Sequence, residues 1–241
     1  MAIVLRNSQR GVRDHGWLKS HHSFSFGDYY NPEFMGYKNL RVINEDIISP
    51  KSGFPRHSHA NMEIITYMIE GSLTHEDNLG HKKIIQNGDV QYIRAGHGIS
   101  HSEYNDSSKE ITHFLQIWLL PNKRDIAPTY NQISLKNESI NNRLTLIAAD
   151  NFEALNTKTD NIIQLNSVAR IYTGILHQNH ELTHAPAHSH STWIQIISGK
   201  LLINGHQLNP GDAISFDTVE QISIHALLDA HFILFDLGSP E

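Results

Sequence analysis

Residues 64–70 read IITYMIE, Gly71 interrupts the run, and residues 72–76 (SLTHE) resume it up to the turn Asp77-Asn78-Leu79-Gly80. Residues 81–85 then pair back as a hairpin, Asn87-Gly88-Asp89 makes a second turn, and residues 90–93 start the next strand. Short runs of β-branched and aromatic residues, punctuated by Gly, Asn and Asp, are how barrels and sandwiches read. Residues 113–119 (HFLQIWL) form a further strand. Residues 121–131 (PNKRDIAPTYN) are polar and Pro-interrupted, which marks a linker near the middle of the chain. Beyond it the β pattern returns at residues 144–148, 169–176, 193–197, 200–203, 213–216, 221–226 and 232–236. Residues 150–155 (DNFEAL) read as one helical turn capped by Asp150.

Two marks in the first half recur in the second. Gly71 ends a strand and Gly88-Asp89 opens the next; Gly199 and Gly211-Asp212 take those places downstream. The fold expected is all-β, two tandem antiparallel β-barrels made by duplication, one over residues 1–131 and one over residues 132–241.

Composition excludes several classes. Of 241 residues, 39% are hydrophobic and 18% charged, a globular profile. The net charge of −6 argues against a phosphate-neutralising surface, so no direct nucleic-acid contact is expected. With 0 Cys, thiol nucleophiles, disulfides and iron–sulfur ligation are out. No apolar run reaches the roughly 18–20 residues of a membrane span. The apolar start MAIVL is shorter than the about 7–15 residues of a secretory signal core. A cytoplasmic protein without membrane contact is expected.

The informative excess is 18 His. Two H-x-H triplets occur, His57-Ser58-His59 and His188-Ser189-His190. At this frequency chance alone gives roughly one or two, so a triplet needs support from its surroundings. The first has it. On a strand His57 and His59 share a face, and so do His101 and Glu103 some forty residues on. Two such pairs on facing strands can close on one cation. Three imidazoles and a carboxylate suit a divalent first-row metal and leave open positions for chemistry. Glu63 is a rival carboxylate, since it shares strand parity with His57 and His59. His21, His22, His75, His81, His113 and His206 read as ordinary surface residues.

The second triplet fails a register test. Measured from Gly199 and Gly211, the counterparts of His57, His59, His101 and Glu103 are Ala185, Ala187, Ile224 and Ala226. His188 and His190 are three residues out of step, and His225 is one off, on the other face. The second barrel is expected to hold no metal.

These residues resemble the cupin metal motifs, a G-x3-H-x-H-x3-E block and a G-x5-(P)-x-G block with a later His. More narrowly the chain resembles the pirin family, in particular its short bacterial members. The resemblance rests on His15-Gly16-Trp17 with Phe24-Ser25-Phe26, Leu40-Arg41-Val42, His57-Ser58-His59, Met62-Glu63, Glu70-Gly71 and Gln116-Ile117-Trp118. The stretch from Ala95 through Gly96, His97, Gly98, Ile99, Ser100, His101 and Ser102 to Glu103 is its most specific part, and Leu234-Phe235-Asp236-Leu237 closes it. Arg94 stands where the general cupin block has Pro, as in pirins.

The resemblance implies a bicupin of jelly-roll barrels with metal in the N-terminal barrel only, held by His57, His59, His101 and Glu103. The ion implied is Fe(II) first, with Zn, Ni, Cu and Mn open. It further implies a quercetin 2,3-dioxygenase, as in several bacterial members. There the metal binds a flavonol through its 3-hydroxyl, the Glu assists deprotonation, oxygen adds across the ring and carbon monoxide leaves. The partners expected are a small aromatic substrate and O2. Phe54, Met62 and Tyr67 lie near in sequence and could wall a planar substrate, with barrel packing as their competing role. Mammalian pirins are transcription cofactors, so a non-enzymatic metal- or redox-sensing module that binds a protein partner is the alternative. A cupin isomerase or hydrolase is a third reading.

Overall fold

The computed structural model describes residues 2–135, 137–150, 161–187 and 189–238. The expected helical turn at residues 150–155 lies, past Asp150, outside the described residues, as does His188. The chain divides into two compact units, Gly11–Leu135 and Met1–Arg10 with Lys136–Ser239.

The Gly11–Leu135 unit has two antiparallel sheets. The larger runs, strand by neighbouring strand, Thr129–Ser134, Asp89–Arg94, Glu63–Glu70, Thr112–Leu119, Leu40–Ile48, Leu18–His22 and Gly11–Asp14. The smaller runs Ser52–His59, Ile99–Asn105, Ser72–Asp77 and Lys82–Gln86. Side chains alternate between faces, and two strands of the larger sheet share an inward pattern of apolar, polar, apolar. Ile64, Thr66 and Met68 show it, as do Phe114, Gln116 and Trp118. Met68 and Phe114 join Leu18, Ile48, Leu73 and Ile85 in one buried cluster. Ile64 joins Ile93, Ala95 and Ile99 in another, with Trp118 against it. Thr66 and Gln116 thus put a polar layer between two apolar ones.

The other unit is one sheet built around the long strands Ser191–Ile203 and Ile222–Leu237, which pair with each other. Among the described residues its strands pair antiparallel except for Ile163–Gln164 on Ala148–Ala149, and one isolated bridge, Asn141 to Ile175, is also parallel. Where the sequence reads two strands on either side of Gly199, one continuous strand passes through with a shifted register. Gly199 (φ 77°) and Gly71 (φ 75°) nevertheless do the same job. A Cβ at Gly71 would collide with the Ile111 carbonyl oxygen, and one at Gly199 with that of Asp229.

Two boundaries differ from the sequence reading. The strand Ala2–Leu5 pairs with Ala213–Phe216, so the N-terminus is part of the second sheet rather than of a 1–131 domain. Asp212 fixes it, accepting from Arg6 Nη1 at 2.9 Å and from the Asn7 amide at 2.8 Å. The linker expected at residues 121–131 ends early, because Thr129–Ser134 pairs along Asp89–Arg94 and the unit closes at Leu135. Among the described residues no helix is long and apolar enough to cross a membrane.

Candidate metal centre and its cavity

The pairing of Ser52–His59 with Ile99–Asn105 sets His57 opposite His101 and His59 opposite Ile99. Opposed residues share a face, so the three imidazoles meet. Ring centroids are 4.8 Å apart for His57–His59, 4.4 Å for His57–His101 and 5.0 Å for His59–His101. One nitrogen from each lies within 4.8 Å of the others. A β-bulge after His101 shifts the register so that Glu103 stands opposite Phe54. Glu103 remains with His101, and a second cluster within the same distance joins His101, Glu103 and His75.

Burial governs the protonation of these groups. Desolvation, followed by the neighbouring His57 charge, lowers the His59 pKa to about 4. Deeper burial and the charges of His57, His59 and His75 bring His101 to about 2. Both rings are neutral at physiological pH, as metal ligands must be. His57 Nδ1 lies 2.8 Å from the Pro55 carbonyl, which can only accept, so Nδ1 carries the proton and Nε2 the lone pair. His101 Nε2 is buried with no hydrogen-bond partner. Buried polar nitrogens are rarely left so, and this one sits in a cluster of imidazole lone pairs. The donor set fits a divalent first-row ion.

Glu103 is 2% exposed. Burial raises its carboxyl to about 7, with Asp46 adding to the rise and Gln91, Thr66 and Gln116 opposing it. Gln91 donates to Oε1 at 3.3 Å and Gln116 to Oε2 at 3.5 Å. The polar layer of the barrel is therefore the shell that orients this carboxylate.

Glu63, the rival carboxylate, is elsewhere. It is buried and accepts from the Tyr92 hydroxyl at 2.6 Å. Strand parity does not carry from His59 to Glu63, because the strand ends at His59 and Asn61 is left-handed (φ 52°). Counted along its own strand, Glu63 faces away from inward-pointing Thr66.

A cavity of about 410 Å³ opens beside the cluster, within the range of small-molecule sites. His57, His59, Glu103 and Gln116 form one wall. Trp17, Leu18, Phe26, Phe54 and Trp118 supply apolar surface, and Ser20, His22, Asn44 and Asp46 a polar strip. The Trp118 ring meets His59 edge-on at 5.0 Å and Phe26 at 5.4 Å. Phe54 lines this cavity as expected from the sequence. Met62 and Tyr67 do not. Met62 packs against the Ile64–Ile93 cluster and borders a separate cavity. Tyr67 is 2% exposed and points to the face opposite Thr66.

Two histidines read as surface residues are buried. His22 is held by Asn44 Oδ1 at 2.7 Å, and His75 by Asp77 Oδ2 at 3.0 Å. Burial lowers the His75 pKa against the opposing pull of Asp77. Trp17, Phe26 and Trp118 lie in stretches that carry the family resemblance, which gave their place without their role.

The family model described as Pirin matches residues 5–119, and the one described as quercetinase C-terminal cupin domain matches residues 154–237. A quercetin 2,3-dioxygenase of Escherichia coli strain K12 is 37% identical over 237 residues, covering 98% of this chain and 99% of its own. A pirin-like protein of Caulobacter vibrioides is 38% identical over 229 residues, covering 94% and 95%. The crystal structure of the bacterial pirin YhhW from Escherichia coli in complex with nickel(II) superposes with a TM-score of 0.91 at 37% identity, over 99% of this chain and 100% of that one. The architecture is therefore a tandem pair of cupin-type domains.

Proposed function

The chain belongs to the pirin family, and from that premise we propose that it is a metal-dependent dioxygenase that cleaves a flavonol such as quercetin with O2 and releases carbon monoxide. The observation that carries this reading is the imidazole cluster of His57, His59 and His101 at an aromatic-lined cavity whose wall Glu103 shares. His57, His59, His101 and Glu103 would hold one divalent ion, with Fe(II) first and Ni, Zn, Cu and Mn as alternatives. When bound, such an ion supplies Lewis acidity toward the flavonol 3-hydroxyl and the means to engage O2.

The residues themselves do the following. Glu103, a carboxylate on the cavity wall, takes the 3-hydroxyl proton as a positioned general base. Gln91 and Gln116 keep its oxygens oriented. Trp17, Phe26, Phe54 and Trp118 take the planar rings and keep water out. Ser20, His22, Asn44 and Asp46 offer polar partners to the substrate's outer hydroxyls.

The second barrel plays no part in the chemistry in this reading. The counterparts of Thr66, Gln91, His101 and Glu103, counted from Gly199 and Gly211, are Ile194, Ile214, Ile224 and Ala226. All four lie in one buried apolar cluster. Its polar layer is replaced by hydrocarbon, which offers no ligand. We place the enzyme in the cytoplasm as part of the same reading.

An oxygen electrode tests the proposal. Protein loaded with a defined metal should consume O2 on addition of quercetin, one O2 per quercetin lost. No uptake with Fe(II), Ni(II), Cu(II) or Mn(II) would set the dioxygenase reading aside in favour of a metal-sensing binding module.

A further inference from the structure

Behind His101, on the flank away from His57, the strand Ser72–Asp77 sets Asp77 opposite His101 and His75 opposite Glu103. His101 Nδ1 lies 3.4 Å from His75 Nδ1, and His75 Nε2 lies 3.0 Å from Asp77 Oδ2. The same Asp77 oxygen is 2.9 Å from His81 Nδ1. Asp77 Oδ1 accepts from the amides of Leu79 and His81 at 2.9 and 3.0 Å, which fixes the carboxylate. His75 and Asp77 are buried, and His81 reaches the surface stacked on Tyr130 at 4.9 Å.

We propose that His75 and Asp77 are positioning residues for the metal centre, fixing the ring and the tautomer of His101 so that Nε2 faces His57 and His59 with its lone pair. The proposal rests on the reading that this cluster holds a metal.

The hydrogen-bond directions follow from one end. Asp77 only accepts, so His75 must donate from Nε2. A neutral His75 then has an acceptor at Nδ1, which faces His101 Nδ1. His101 therefore carries its proton on Nδ1 and the lone pair on Nε2, the buried nitrogen with no partner. A carboxylate behind a ligating histidine also raises its basicity, and loss of such partners commonly costs about 10–100-fold in metal affinity. Asp77→Asn should invert the chain. Its amide nitrogen would donate toward His75 Nε2, push the His75 proton to Nδ1, and set two N–H groups facing each other.

The test is titration of the metal-free full chain with Co(II), following affinity and the visible ligand-field bands. His75→Phe and Asp77→Asn should bind about 10–100-fold more weakly and show altered bands at saturation. His75→Gln, whose carbonyl can accept from His101, should stay near wild type in both. Wild-type affinity and bands in His75→Phe would overturn the proposal while leaving the metal site intact. If His75→Phe does not fold, Asp77→Asn and His75→Gln decide, and equal behaviour of the two would overturn it. Two cobalt ions in wild type and one in His75→Phe would make His75 itself a ligand and contradict the positioning role. No cobalt binding by wild type would remove the metal reading and this proposal together.

Discussion

His57 and His101 stand directly opposite each other on adjacent antiparallel strands, with ring centroids 4.4 Å apart. The contact joins two segments more than forty residues apart, yet it depends only on strand pairing and on the face each side chain occupies. The apolar clusters on either side are built from other residues, Met68, Leu73 and Phe114 on one and Ile64, Ile93 and Ile99 on the other. The imidazole cluster is therefore separable from the packing that holds the barrel.

From that separation, His57→Ala and His101→Ala should each lose bound metal and oxygenase activity while keeping a cooperative fold. Elemental analysis and circular dichroism on the same preparation check this. An unfolded His57→Ala variant would make the ion structural.

Metal stoichiometry should be close to one per chain, because the second-barrel counterparts of the proposed ligands are apolar. Elemental analysis of protein saturated with metal and then desalted reads it directly. A value near two that persists in His75→Phe would place a site in the second barrel and defeat the register argument.

Metal affinity should depend on pH through Glu103. Without metal its carboxyl titrates at about 7, so it is protonated below that pH and must lose the proton to bind. His59 and His101, at about 4 and about 2, are proton-free throughout this range and add no slope. Affinity should rise with pH and level off above 7. Between pH 6 and pH 8 the wild-type affinity should gain about tenfold more than that of Glu103→Gln. Competition with a chelator at both pH values measures it; parallel slopes would remove Glu103 from the ligand set.

Much of this was legible in the sequence, for identifiable reasons. The pairing of H-x-H with H-x-E follows from period-2 alternation, and the duplication from glycines whose left-handed backbone no other residue adopts easily. Glu63 misled because parity was counted through Asn61, where the chain turns and the alternation restarts. Tyr67 misled for a related reason: its neighbours Thr66 and Met68 face the barrel interior, so it lies buried on the opposite face of the sheet. His75 passed for a surface residue because burial of a lone histidine leaves no mark on its own segment. Only the pairing of its strand with Ile99–Asn105 brings it to Glu103. The N-terminal strand was hidden for the same reason, since its partner lies some two hundred residues away.

The most direct test of the account compares quercetin turnover and carbon monoxide release in Glu103→Gln and Glu63→Gln at matched metal occupancy. Both substitutions keep size and remove charge, and only Glu103 lies beside the histidines and the cavity. Glu103→Gln should lower the turnover number by about 10²-fold or more, as expected for loss of a general base. Its effect on KM should be small. Glu63→Gln should cost clearly less, with one carbon monoxide released per quercetin consumed. A dead Glu63→Gln beside an active Glu103→Gln, or full activity in both, would contradict the account.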